Sequence, residues 1–223
     1  MTMFQDIKLV MLDLDNTIVK HQEKLERQLI AEHLGIKNDA RFDNELEIMF
    51  RENSKHIYPS MRMGKERFGL IIEMIMPSLR QYRLKGTDVL RGIEEVNTSI
   101  RMKGSKELLN GIYRKGYQII AVSDWFFEHQ LRTLKRLELS QYFERLYCWD
   151  GYYPKTNKLA YKRALNYIEP SNAIMIGDGY NSDIVGAKKA GINVIGFNVK
   201  YPENAKIKAD IDVEDLIHIL DFL

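Results

Sequence analysis

The stretch over residues 7–12 most narrows what this chain can fold into. Ile7, Leu9, Val10, Met11 and Leu12 form an apolar, partly β-branched run whose length suits a strand rather than a helix. A strand this apolar has no wet face, so it belongs in a parallel sheet covered by helices on both sides. Ligands in such sheets bind beyond the carboxyl ends of the strands. Asp13 and Asp15, in the Asp13-Leu14-Asp15-Asn16-Thr17 that follows, then stand at that edge. Two carboxylates there invite a cation.

The remaining chain shows two patterns. From 18 to about 104 the periodicity is helical. Leu25, Leu29, Ile30 and Leu34 form one stripe closed by Gly35, Leu46, Met49 and Phe50 a second, and Phe68, Ile71, Ile72 and Ile75 a third before Pro77. Beyond it, strands and helices alternate. A helix through Leu108, Leu109, Ile112 and Tyr113 closes at Gly116, and Gln118–Val122 reads as a strand. A helix over 131–137 precedes a strand over 146–149, and a helix over 159–167 ends before Pro170. Strands over 173–176 and Asn193–Phe197 flank a helix closed by Gly191. Repeated βα units of this length predict an α/β fold with a doubly wound parallel sheet. The expected division is a Rossmann-like core over 1–17 and 104–223, with an all-helical insertion over 18–103.

Composition excludes several classes of function. The 33 basic and 31 acidic residues give a net charge of +2 with no block of five like charges, which argues against a nucleic-acid or membrane footprint. No apolar stretch approaches the roughly 18 residues of a membrane span, and the N-terminus carries Asp6 and no basic leader. The expectation is a cytoplasmic protein with no nucleic-acid or membrane partner and no evident obligate protein partner. The lone Cys148 cannot form an internal disulfide, and within its apolar run it reads as a small core residue.

Each predicted strand is followed by chemistry-bearing residues. Asp13 and Asp15 follow the first, Ser123 and Asp124 the second, Lys155 the third, and Gly177-Asp178-Gly179 with Asp183 the fourth. The fold brings strand ends to one rim, so distant residues can share a site. In this order they resemble the four motifs of the haloacid dehalogenase-like hydrolase superfamily: Asp13-x-Asp15-x-Thr17, Ser123, Lys155, and Gly177-Asp178-x-x-x-x-Asp183. Lys155 six residues ahead of Tyr161, and Ala187-Lys188-Lys189-Ala190-Gly191, also resemble the family's flanks. The resemblance covers about 5–20 and 103–200, and the helical insertion is similar to the C1-type cap of the phosphatase branch.

Charge gives a separate reason for a metal. Asp13, Asp15, Asp178 and Asp183 at one rim, with a phosphate monoester added, are opposed only by Lys155. Oxygen ligands with open positions suit Mg²⁺. The resemblance implies metal contacts from the Asp13 carboxylate, the Asp15 backbone carbonyl and Asp178, with Asp183 orienting a water or Lys155. It also implies a phosphohydrolase acting on a small phosphorylated metabolite through an aspartyl-phosphate. Asp13 would be the nucleophile and Asp15 the acid and base, while Ser123 and Lys155 would bind the phosphate. An Asp at position 15 favours phosphoester cleavage over dehalogenation. The alternatives are a phosphomutase of the same family and a regulatory protein that keeps a phospho-acceptor without turnover.

Each of these residues also has a plainer role open to it. Asp-x-Asp alone caps turns and helices. An EF-hand is excluded because Ile18 and Lys24 stand where Gly and Glu are required. Ser182 in place of the third Gly excludes a dinucleotide fingerprint. The five histidines read as surface residues, and Tyr152, Tyr153 and Tyr161 as packing. Two positions depart from the family pattern: Asp124 where Asn is frequent, and Thr156 where Pro is common, with Lys158 a possible substitute for Lys155. Between Arg51 and Arg91, nine basic residues oppose four acidic ones, among them Arg62, Lys65, Arg67, Arg80, Arg83 and Lys85. A solvated helix surface is the preferred reading of these, and steering of an anionic substrate the sharper one.

Overall fold

The structure, a computed structural model, describes residues 4, 6–37, 39–52, 65–148 and 153–223. The chain forms two compact units, one of Met1–Lys20 with Ile100–Leu223 and one of His21–Ser99.

In the first unit, β1 (Leu9–Leu12) is followed by the two-residue β2 (Val19–Lys20). The second unit carries α1 (Glu23–His33), α2 (Ala40–Glu52), α3 (Lys65–Ile75) and α4 (Gly86–Glu95). The chain returns through β3 (Ile100–Arg101), α5 (Ser105–Arg114), β4 (Gln118–Val122), α6 (Phe127–Arg136) and β5 (Arg145–Tyr147). Next come α7 (Lys158–Leu165), β6 (Ala173–Gly177) and a π-helical turn, Tyr180–Val185, that runs into α8 (Gly186–Lys189). Strands β7 (Asn193–Phe197) and β8 (Ile211–Val213) complete the sheet.

The six-stranded sheet has the order β5-β4-β1-β6-β7-β8, and every pairing in it is parallel. Strand β1 is central because each of its residues is buried. Val10 and Leu12 enter one core with Ile119, Ala121, Ile174 and Ile176. Leu9 and Met11 enter the opposite core with Ile120, Val122 and Met175. The alternation of side chains across a strand thus feeds two apolar layers, as the run over 7–12 predicts. Strands β2 and β3 form a separate antiparallel pair, Val19 opposite Arg101 and Lys20 opposite Ile100.

Several elements differ from the expectation. Helix α4 and strands β2, β3 and β8 were not predicted. Helix α7 stops at Leu165, short of 167, because Asn166 and Tyr167 take left-handed backbone angles of φ 45° and 73°. On α1 the buried positions are Glu26 and Ile30; Glu26 faces His21 at 3.4 Å, while Leu25 is 41% exposed. The helical unit is closely packed where α3 meets α4, since a Cβ on Gly86 would lie 1.9 Å from the Gly69 carbonyl oxygen. Of its basic residues, Arg67, Arg80, Arg83 and Lys85 are exposed and Lys65 pairs with Glu94, while Arg62 lies outside the described residues. Trp149 and Tyr152 lie outside them too, whereas Cys148 is buried as expected. Tyr161 is fully buried, with its hydroxyl donating to the Ser182 carbonyl at 2.9 Å. His129 is 3% exposed and sets its ring edge-on to Trp125, so it is no surface residue. Among the described residues no helix is long and apolar enough to cross a membrane.

Candidate active site

Asp13 leaves β1 without leaving the sheet, because its amide donates to the Ile176 carbonyl at 2.9 Å and so continues the ladder to β6. The next residues fold tightly. The Leu14 carbonyl accepts from Ile18 at 3.0 Å and Val19 at 2.9 Å, with Asn16 in the left-handed region at φ 62°. The turn is anchored by buried Leu14 and Ile18, and it brings the Thr17 hydroxyl back to donate to Asp13 Oδ2 at 3.1 Å.

The buried Lys155 ammonium reaches into this corner. It donates to Asp13 Oδ1 and lies 2.7 Å from Asp183 Oδ1. Asp183 comes from the π-helical turn, whose wider coil sends its carboxylate back over the end of β6. There Asp183 Oδ2 accepts the Gly179 amide at 2.8 Å, and Gly177 must lack a side chain because a Cβ would lie 2.4 Å from that oxygen. The Lys155 backbone is fixed from two sides. Its amide donates to Asp124 Oδ1 at 2.8 Å, and a Cβ on Gly186 would stand 2.0 Å from its carbonyl oxygen. Asp124 therefore turns toward the Lys155 loop. Lys158, at the start of α7, is exposed and Lys155 buried, which makes Lys155 the lysine of this corner.

Ser123 ends β4 and donates its amide to the Tyr147 carbonyl at 2.9 Å. Its Oγ accepts from the Trp125 amide at 3.2 Å and from Gln130 Nε2 at 3.0 Å. The same Gln130 nitrogen donates to Asp15 Oδ2 at 2.7 Å. Gln130 was missed in the sequence. Its signal was weak: it lies one turn ahead of buried Leu134, but His129 and Thr133 are buried on the same helix.

Ligand oxygens of Asp13, Asp178 and Asp183 lie within 4.8 Å of one another. Asp15 directs its side chain to Gln130, while its expected metal contact is the backbone carbonyl; the carboxylates brought together are those of Asp13 and Asp178, joined by Asp183. The electrostatics are those of too many acids for one ammonium. Burial, together with the charges of Asp178 and Asp15, pushes Asp13 up to about 7 against the pull of Lys155. Burial and Asp183 raise Asp178 to about 6, and burial with Asp13 raises Asp183 to about 6. Asp124 is raised as well, first by burial. Burial disfavours the Lys155 charge, but Asp13, Asp183 and Asp124 outweigh it and hold the ammonium well above its ordinary value. An all-oxygen donor set with uncompensated negative charge fits a hard divalent cation.

A family model of haloacid dehalogenase-like hydrolases matches residues 7–191. The glyceraldehyde 3-phosphate phosphatase of Pyrococcus furiosus is 27% identical over 236 residues, covering 97% of this chain and 93% of that protein. Among solved structures, the HAD-hydrolase YfnB of Bacillus subtilis, bound to magnesium, superposes with a TM-score of 0.72 at 18% identity over 97% of this chain and 100% of its own. A HAD-superfamily hydrolase of subfamily IA from Geobacter sulfurreducens gives 0.68 at 18% identity, covering 100% of both chains.

Proposed function

The chain belongs to the haloacid dehalogenase-like hydrolases and is one of their phosphatases, and from that premise we propose that it hydrolyses a small phosphorylated metabolite with Asp13 as nucleophile. The observation that carries this reading is the Asp13 carboxylate, 4% exposed at the end of the central strand, bonded to Lys155 and clustered with Asp178. An ordinary surface turn would hold no carboxylate this way. Asp13 Oδ attacks phosphorus and the ester oxygen leaves with a proton from Asp15, giving an aspartyl-phosphate. Asp15 then takes a proton from water, whose oxygen attacks the same phosphorus, and Asp13 and inorganic phosphate are released. Lys155 neutralises the charge gathering on nucleophile and phosphoryl group, and the Ser123 hydroxyl donates to a phosphoryl oxygen. Asp183 holds Lys155 and the Gly179 amide in register for this.

The Asp13 and Asp178 carboxylates and the Asp15 backbone carbonyl are the groups to hold Mg²⁺, which when bound neutralises the clustered acids and the incoming phosphate. The helical unit, His21–Ser99, is the cap of this reading and the part that selects substrate. Glyceraldehyde 3-phosphate is the first substrate to test, because the matched Pyrococcus furiosus protein is named for it and spans nearly the same length.

The deciding experiment is phosphate release from a panel of sugar phosphates, nucleotides and phosphorylated acids, with and without Mg²⁺, beside Asp13→Asn. Mg²⁺-dependent release that the variant loses supports the assignment. Full activity in Asp13→Asn removes Asp13 from the chemistry, and isomerisation of a phosphosugar without net phosphate release makes the enzyme a mutase.

A further inference from the structure

Resting on the acid and base role given to Asp15 above, we propose that Gln130 is a positioning residue that fixes the proton orientation of both Asp15 and Ser123. Gln130 is 1% exposed on α6, and its Nε2 donates to Asp15 Oδ2 at 2.7 Å and to Ser123 Oγ at 3.0 Å. An amide nitrogen carries two hydrogens, so both bonds form at once. Flipping the amide would set its carbonyl against the Asp15 carboxylate, acceptor against acceptor. The observed orientation leaves the buried Oε1 with no hydrogen-bond partner, an unfavourable state for a polar atom out of water. A buried glutamine that keeps its donors engaged and leaves its acceptor unmet serves the groups it donates to.

For Ser123, the Gln130 nitrogen and the Trp125 amide at 3.2 Å occupy both acceptor positions of the hydroxyl. Its own hydrogen must then point away from the protein donors, which makes Ser123 a donor to whatever anion arrives. For Asp15, a donor fixed at Oδ2 favours the unprotonated oxygen at that position. The proton of the acid form then sits on Oδ1. That oxygen delivers a proton to the leaving group and later collects one from water. Gln130 touches no reacting atom in this scheme; it decides which oxygen of Asp15 carries the proton and which way the Ser123 hydrogen points.

The test exploits leaving groups. A p-nitrophenolate departs without a proton at neutral pH, whereas the alkoxide of glycerol phosphate needs one. We compare kcat/KM for the two esters in the wild type, Gln130→Met, Gln130→Glu and Asp15→Asn, with circular dichroism confirming that each variant is folded. General-acid catalysis contributes about 10²–10⁴-fold, and misplacing the proton forfeits part of it. Both Gln130 variants should therefore lose at least about tenfold more on glycerol phosphate than on p-nitrophenyl phosphate. Met removes the donors, and Glu turns an acceptor toward Asp15. Equal losses on both esters would show a packing role, and no loss would show none; either overturns the proposal. If Asp15→Asn itself fails to separate the two esters, the acid role of Asp15 falls and the proposal with it. If Asp15→Asn separates them and the Gln130 variants do not, only the proposal falls.

Discussion

At Asp124 the carboxylate accepts the Lys155 amide from a residue 8% exposed, so a fifth acid beside a phosphate site acts on the backbone of the lysine rather than on the substrate. An extra carboxylate facing a phosphate would repel it, but this one points to the Lys155 backbone. Removing the acceptor leaves a buried N–H unsatisfied. Asp124→Ala should therefore lose about 1–3 kcal/mol of stability in urea denaturation, while Asp124→Asn, which keeps an oxygen in place, stays within about 1 kcal/mol of wild type. Equal stability of all three proteins would detach Asp124 from the Lys155 loop. Asp13, Ser123 and Asp178 were legible because each directly follows an apolar strand, and Lys155 and Asp183 because their order and spacing resemble the family's motifs. Gln130 was not, because its importance lies in one amide that joins Ser123 to Asp15, which lies 115 positions from Gln130, and a buried helix face shared with His129 and Thr133 does not single it out.

Among the elements, strands β1, β4, β6 and β7 could be read because a strand buried on both faces needs nearly every residue apolar. Strand β8 is an edge strand of three residues with Asp212 in its middle, below the length at which periodicity speaks. Helix α4 escaped because it begins at Gly86 and contains Gly92, both poor helix formers. Its glycines answer to packing: Gly86 lets α4 approach Gly69, and a Cβ on Gly92 would press on Ile30 at 3.3 Å. In the same helical unit, Glu45 Oε2 accepts from the amide of Ser78 at 2.9 Å and from its hydroxyl, and Oε1 from Arg41 at 2.9 Å. Burial raises the Glu45 value, but the Ser78 and Arg41 bonds outweigh it and hold the carboxyl below its ordinary range. A depressed folded value means that this stabilisation is present above the unfolded value and fades as pH falls through the folded one. Protection factors of the amides in α2 and Pro77–Arg80, corrected for the slower intrinsic exchange at low pH, should therefore fall on acidification, and Glu45→Gln should abolish most of that pH dependence. Unchanged protection down to pH 3 would contradict it.

For the molecule as a whole, the site acids set how stability responds to pH. Asp13 at about 7 and Asp178 and Asp183 at about 6 lie above the ordinary carboxylate value of 3.8, so the folded protein binds more protons than the unfolded chain between these values. The contribution of these three acids to the stability of the metal-free protein is then fully present below the unfolded value and is lost as pH rises through about 6 to 7. A divalent cation competes with those protons, so Mg²⁺ should raise the melting temperature more at pH 8 than at pH 5. A larger effect at pH 5 would separate the clustered acids from metal binding. The two-unit division shows in the sequence as the change from helical stripes to alternating strands. The exact crossing points do not, since β2 and β3 are two residues each and make sense only as a pair.

That pair has a practical meaning. Lys20 and Ile100 face each other across antiparallel strands, which is the geometry a two-residue Asn-Gly turn closes. Everything between them can be excised and replaced by such a turn, leaving a continuous hairpin. The shortened protein should fold cooperatively and keep its affinity for Mg²⁺ while losing discrimination among phosphate esters. By this logic the helical segment is a guest in the connectivity of a hairpin whose two strands belong to the host.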